Sequence, residues 1–372
     1  MRNNNSLLNF SYVTVGRLVA VILQAIFYLL FAALLEPERY GELNYLIALA
    51  STVALVSRFG LNFTVTIYQA KENSQISNQI NTLAIVSTSI ASIFLIFVNE
   101  FAALFSLSVS FFMMYHGNLL GLKRYKSFMI NSILRTSLII IIPLLLYFVF
   151  DISGIILGMA ISNFISCLSF FKIIKISSFF HLKNYTKIII HNFGVDVSTG
   201  LSSVVDKLLV APLFGFLIVG IYQFNIQILL MLSVLPTILY SYLLSEESSG
   251  VSHKKITLFA VIISVVIAVL TFTFSPMFVN QFFPKYSDGI FGLQIIVLSV
   301  VPLTLSSYFN AILQARESTK IGLSGIITIA VLLLLLALLG KFYGLLGLSL
   351  AVLFSIIANA LFLYLLYIKA TK

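Results

Sequence analysis

Long apolar runs follow one another along almost the whole chain, separated only by short polar stretches. A helix needs about 20 mainly apolar residues to cross a bilayer. Backbone groups left unpaired in hydrocarbon are costly, so only helices and closed barrels span membranes. The runs are too long for barrel strands, and the chain is read as an all-α integral membrane protein. Twelve spans are expected, at roughly 8–35, 41–68, 80–98, 101–121, 128–150, 153–171, 189–213, 216–244, 256–275, 289–314, 321–340 and 343–367. Composition agrees: of 372 residues, 60% are hydrophobic and 9% charged, against about 25% charged in soluble domains. No polar segment is long enough to fold alone, which excludes a large soluble catalytic domain. The run from Leu7 to Leu35 is too long for a signal h-region and contains Arg17, so a retained first span is expected. One cysteine, Cys167, excludes a disulfide framework, and the four histidines form no ligand cluster, so no metal is expected. There is no P-loop, so the chain is expected not to hydrolyse ATP itself, and no catalytic constellation stands out, so no enzyme is expected.

Charge distribution sets an orientation. With the N-terminus in the cytoplasm, fifteen lysines and arginines fall on inner segments and three, Arg39, Lys285 and Lys341, on outer ones. This is the positive-inside asymmetry, and both termini are expected on the cytoplasmic side of the cell membrane. The net charge of +10 is thus an orientation signal with contact to anionic lipids as a second effect, and nucleic acid is not an expected partner. The basic loop near residues 172–188 divides the chain into two expected six-helix bundles, 1–180 and 181–372, around a central cavity. An offset of 179 aligns Gly41 with Gly220, Asn44 with Gln223 and Tyr45 with Phe224, an echo of duplicated halves.

Four basic residues remain inside spans: Arg17, Arg58, Arg135 and Lys207. A charge near the bilayer centre costs roughly 2.5–3.5 kcal/mol even on the translocon scale, and it usually faces protein or a water-filled cavity. Arg17 lies about ten residues into its span, roughly 15 Å, too deep for simple snorkelling. Arg58 is similarly deep, whereas Arg135 is shallow enough to snorkel. Asp206 beside Lys207 offers a local counter-ion. The expected first half has no acid well inside a span, which leaves an anionic ligand as counter-ion for its arginines. Guanidinium suits phosphate because it stays charged and offers a planar fork of donors.

Polar stripes mark the faces that turn inward. Asn192, Asp196, Thr199, Ser203 and Asp206 recur at spacings of 4, 3, 4 and 3, one face of a helix. Shorter stripes run through Arg58 and Asn62, through Asn131 and Arg135, and through Ser306, Asn310 and Gln314. Two readings stand side by side: helix-to-helix hydrogen bonding, or a polar cavity. Gly117 and Gly121 form a GxxxG match that reads as close packing.

Three stretches carry a family likeness. Gly16-Arg17 precedes Leu35-Glu36-Pro37-Glu38-Arg39-Tyr40-Gly41; Arg58-Phe59-Gly60-Leu61 ends the second span; Asp206-Lys207-Leu208-Leu209 precedes Val219-Gly220-Ile221-Tyr222. The chain resembles polysaccharide flippases of the multidrug/oligosaccharidyl-lipid/polysaccharide exporter superfamily. Glu36 stands where that family usually has glycine, and Lys207 where it has arginine. The resemblance implies alternating access and a lipid-linked oligosaccharide, a polyprenyl-diphosphate-linked glycan, moved from inner to outer leaflet. Arg17, Arg58 and Arg135 are the expected phosphate ligands, and Asn192, Thr199, Ser203 and Asn310 the expected glycan ligands. Asp196, which has no adjacent base, and Asp206 are the candidates for coupling to H⁺ or Na⁺; no cofactor is expected. Glycan-assembly proteins are candidate partners of an expected monomer. The alternatives are a cation-coupled multidrug or small-solute antiporter, a membrane glycan polymerase or ligase, and a scramblase or scaffold.

Overall fold

A computed structural model describes residues 2–178, 180–201, 204–248, 254–315 and 321–371, and within these ranges it is helical with no strand. The helices divide by contact into two compact units. The first comprises Met1–Tyr28 and Leu46–Val204; the second, Leu29–Tyr45 and Val205–Lys372. Two helices pass from one to the other, α1 (Arg2–Leu34) and α2 (Pro37–Arg58). The first unit also contains α3 (Leu61–Ala70), α4 (Ser74–Ile96), α5 (Glu100–Gly121), α6 (Tyr125–Cys167), α7 (Phe170–Ile173) and α8 (Thr186–Gly200). The second contains α9 (Val205–Phe214), α10 (Phe216–Leu232), α11 (Val234–Ser248), α12 (Lys254–Phe282), α13 (Ile290–Val297), α14 (Val300–Ala315) and α15 (Ile321–Thr371). Sequence places the division at 180; contacts place it at Val204, and Leu29–Tyr45 groups with the later residues.

Among the described residues, seven helical stretches are long and apolar enough to cross a membrane, or up to nine if each bent pair is one span. The bent pairs are α2 with α3, at 47°, and α10 with the first part of α11, at 40°. The first bend follows from Phe59 and Gly60, both at positive φ (50° and 66°). A β-carbon on Gly60 would lie 2.4 Å from the backbone nitrogen of Phe193, so glycine also lets α8 approach. The expected seventh span is interrupted: α8 and α9 are separate helices of 15 and 10 residues.

Two helices, α6 and α15, each reverse within a continuous run, and the two reversals share one geometry. Asp151 (φ 53°, ψ −138°) turns α6, and Gly344 (φ 55°, ψ −132°) turns α15. Three residues beyond each turn stands a glycine, Gly154 or Gly347, whose added β-carbon would meet the carbonyl oxygen of Leu146 or Leu339 at 2.1 or 1.9 Å. This backbone region favours glycine, and a non-glycine residue there stores strain of order 1–3 kcal/mol. Asp151→Gly is therefore expected to stabilise the protein by about 1 kcal/mol. The buried thiol of Cys167 supplies the assay, because a thiol-reactive dye gains access to it on thermal unfolding. A lower unfolding temperature for this variant would show that the Asp151 side chain contributes more than its backbone costs.

Packing inside the units rests on close helix approach. Gly117 and Gly121 of α5 lie against the backbone of α3, where added β-carbons would meet the carbonyl oxygens of Asn62 and Thr66 at 2.5 and 2.7 Å. The GxxxG pattern thus serves packing within the chain. In the second unit, Gly41 of α2 and Gly220 of α10 seat on each other's helix starts. A β-carbon on Gly41 would fall 1.9 Å from the Phe216 carbonyl oxygen, and one on Gly220 would fall 1.7 Å from that of Pro37. Buried Tyr40, Tyr286 and Phe224 surround this crossing; Tyr40 meets Tyr286 edge-on and Phe224 stacks on it.

Candidate functional site

The embedded arginines have three different surroundings. Arg58 ends α2, immediately before the bend, and is 5% exposed. Its Nη2 donates to Asp196 Oδ2 at 2.9 Å and its Nε donates to Asn62 Oδ1 at 3.2 Å. Asp196, on α8, is 6% exposed. This corrects two expectations. Arg58 has an embedded acid as counter-ion, and Asp196 has a base beside it. The cause is the unit boundary: α8 belongs with the first unit, not with the half that follows the basic loop. Asn192, one helical turn earlier, donates from Nδ2 to Thr64 Oγ1 at 2.9 Å, so α8 is tied to α2 through Asp196 and to α3 through Asn192.

Arg135 is turned into the bundle, which corrects the snorkelling reading. Its Nε donates to Asn163 Oδ1 at 2.6 Å, and Asn163 donates to Ser108 Oγ at 3.1 Å. The guanidinium carbon lies 4.5 Å from the centre of the Phe112 ring, a cation–π contact. Beside it is a cavity of about 20 Å³ lined by Gln24, Tyr28 and Thr136 among others, enough for one water or one small ion. Arg17 is exposed, one residue beyond Gly16, where α1 touches Met129 of α6. Gln24 and Tyr28 meet Arg135 further along the same pair of helices. Met129 and Arg135 stand six positions apart in the sequence. The two guanidinium-bearing levels are therefore roughly 9 Å apart along α6. Neither Arg17 nor Arg135 is paired with a carboxylate among the described residues.

The expected stripe from Asn192 to Asp206 is split. Asn192 and Asp196 lie in the first unit and Asp206 in the second. The side chain of Thr199, and Ser203 altogether, lie outside the described residues. Asp206 is 4% exposed, contacts Lys207 Nζ at 3.1 Å and accepts from the Tyr222 hydroxyl at 3.0 Å. This is the local ion pair that adjacency in sequence implies. Asn310, on α14, lines a cavity of about 250 Å³ in the second unit.

Several partners escape a reading of the sequence. Asn163 stands beside Ser162 and Ser166, and Ser108 between Ser106 and Ser110, small polar residues in apolar runs. Asn118 forms a node, exchanging hydrogen bonds with Asn81 at 2.9 and 3.2 Å and accepting from Gln69 at 2.9 Å. Their signal is a small or amide side chain in each of several spans, which the period of a single helix does not link. Among the described residues no group of histidine, cysteine and carboxylate side chains is arranged to hold a metal.

A multi-pass helical membrane protein is the class these observations define. No protein-family model matches the sequence, and no curated protein matches it. Solved structures do match in fold. Lipid II flippase MurJ, in an inward closed conformation, superposes with a TM-score of 0.77 at 17% identity, covering 95% of this chain and 86% of that one. A multidrug resistance MATE family transporter of the MOP superfamily, inward-facing, gives 0.68 at 13% identity, covering 97% and 98%. A point mutant of the Vibrio cholerae MATE transporter VcmN gives 0.61 at 14%, covering 97% and 96%. These neighbours are transporters and flippases, not enzymes.

Proposed function

We propose that the protein is a flippase for a lipid with an anionic head, a polyprenyl-diphosphate-linked glycan carried from the inner to the outer leaflet. The observation that carries this is the pair Arg17 and Arg135. Both are membrane-depth guanidiniums without a carboxylate partner among the described residues, on two helices in contact, at levels about 9 Å apart. An uncompensated cation in hydrocarbon is costly, and a diphosphate is the ligand that neutralises two guanidiniums together. Arg58, neutralised by Asp196, has a different task in this reading. Asp196, held by Arg58 beside the bend at Phe59 and Gly60, is in this reading the group that couples transport to H⁺ or Na⁺. The basic asymmetry supports cytoplasmic termini, and likeness to a lipid II flippase supports the cargo class. Likeness to multidrug transporters supports the rival, a cation-coupled antiporter.

The test is flipping of a fluorescent lipid-linked oligosaccharide by the protein in proteoliposomes. Arg17→Ala and Arg135→Ala are each expected to lower the rate about tenfold or more, the equivalent of losing one charge-assisted hydrogen bond of about 1.5–3 kcal/mol. Wild-type rates in both variants, or transport of organic cations in place of the lipid, sink the proposal.

A further inference from the structure

Between the levels of Arg17 and Arg135 stands a part-buried histidine, His116 of α5, whose Nε2 lies 3.0 Å from Asn131 Oδ1. Asn131 is two residues beyond Met129, where α1 arrives with Gly16 and Arg17, and four before Arg135. Along α6 the imidazole is therefore roughly 3 Å from one guanidinium level and 6 Å from the other. Both guanidiniums are within electrostatic reach of the ring. Phe112 and Phe128 flank it, with ring centres 4.0 and 4.5 Å away, and Phe112 also lies under Arg135. Hydrogen bonding fixes where the ring carries its proton. Asn131 donates from Nδ2 to the carbonyl oxygen of Ser166, so its Oδ1 is the atom turned to His116. Nε2 must then donate to that oxygen. In the neutral ring Nδ1 is left as a bare acceptor; it carries a hydrogen only in the imidazolium. Nδ1 has no hydrogen-bond partner among the described residues.

We infer that His116 is a third ligand of the diphosphate head and that its Nδ1 takes up one proton as the head docks; the inference rests on the flippase reading. The ionised oxygens of a diphosphate diester only accept hydrogen bonds, so the ring ligates them only with hydrogen on both nitrogens. The proton comes from water and adds to the Nδ1 lone pair. The new N–H donates to a phosphate oxygen, no covalent bond forms, and the proton leaves with the head. The counter-charge for the imidazolium also comes with the head, because no carboxylate among the described residues faces the ring. Glu100 and Asp151, the acids of α5 and α6, stand sixteen residues from His116 and from Arg135 respectively. On α6, Lys126 is exposed, as is Lys172 of α7. The α1 helix adds Tyr12 and Tyr28, the latter beside Arg135. The other neighbours of α5, α3 and α4, carry one ionisable side chain, Tyr68, which faces Tyr185 and Lys71. His116 is five residues before Gly121, the end of α5 that the charge asymmetry assigns to the cytoplasm, the side from which the cargo enters. The sign follows: binding tightens as pH falls, and one linked proton limits the change to about tenfold in affinity per pH unit.

Calorimetric titration of the full chain in nanodiscs tests this. The probe is geranyl methyl diphosphate, a diester that stays doubly ionised across the range and so contributes no proton of its own. Titrations in two buffers of different ionisation enthalpy count the protons taken up. The wild type is expected to take up as much as one proton per diester, and its affinity to fall with rising pH somewhere between about pH 5 and 8. His116→Gln, which keeps a donor for Asn131, is expected to bind about tenfold more weakly at the acid end, with no uptake and a flat pH profile. Nitrogen NMR of labelled histidine gives a second reading that leaves His116 in place, in a chain whose His181, His191 and His253 are replaced by glutamine. The His116 ring is expected to change from the neutral Nε2–H form to imidazolium when the diester is added. Binding that needs Arg17 and Arg135 but takes up no proton overturns the role of His116 and leaves the arginine clamp standing. Uptake undiminished in His116→Gln, or an imidazolium present before the diester, overturns it as well. No binding of the diester by the wild type removes the arginine clamp itself, and the histidine with it.

Discussion

Alanine at Gly41 or at Gly220 is expected to destabilise the protein by about 3 kcal/mol each, near the upper end of overpacking penalties. The added β-carbons would fall 1.9 and 1.7 Å from the carbonyl oxygens of Phe216 and Pro37. Those oxygens belong to backbone and have no rotamer by which to withdraw, so α2 and α10 must separate. Separation opens the layer of Tyr40, Tyr286 and Phe224, all buried beside the crossing. The unfolding temperature, read from dye labelling of Cys167, checks this. Gly322→Ala is the control, because an added β-carbon there meets nothing within 4 Å. The double variant Gly41→Ala/Gly220→Ala is expected to cost less than the two singles together, since one displacement relieves both clashes. Wild-type unfolding temperatures in the singles contradict the close approach itself.

The second large effect concerns Arg58 and Asp196. Arg58→Leu or Asp196→Leu alone leaves one buried charge without this counter-ion, which costs about 3–5 kcal/mol. Arg58→Leu/Asp196→Leu is expected to recover most of that loss, because two apolar side chains replace the pair and its desolvation penalty. The Cys167 assay on all three variants forms a double-mutant cycle; additive losses show that the pair is not coupled. The same variants separate structure from transport. A double variant that folds and flips lipid at the wild-type rate removes Asp196 and its partner Arg58 from energy coupling. One that folds and does not flip keeps the ion pair in the transport cycle.

Much of this site can be read from the sequence, and the reasons for the rest are physical. Depth within an apolar run identifies Arg17, Arg58 and Arg135 as charges needing partners, and Asp206 beside Lys207 foretells their ion pair. Spacing on one helix cannot show which helix lies opposite, so hydropathy assigns Asp196 to another half and gives Arg58 no acid. Arg135 looks able to snorkel when depth alone is counted; Asn163 and Phe112, which hold it inward, lie on other turns of the bundle. The stripe from Asn192 to Asp206 keeps helical period across a break, because Gly200 to Val205 carries no proline to mark it. Twelve crossings are expected from hydropathy; the breaks read at 151–152 and 341–342 fall at or beside the reversals at Asp151 and Gly344, whereas the bend at Phe59-Gly60 lies inside the expected second span.

The matched reversals at Asp151 and Gly344 bear on how the chain grew. They stand 193 residues apart, whereas Gly41 and Gly220, which seat on each other's helix starts, stand 179 apart. If both pairs descend from one ancestral segment, the later copy is longer by fourteen residues between its glycine crossing and its reversal. Lengthening was tolerated in that interval and not at the two fixed geometries, where backbone meets backbone.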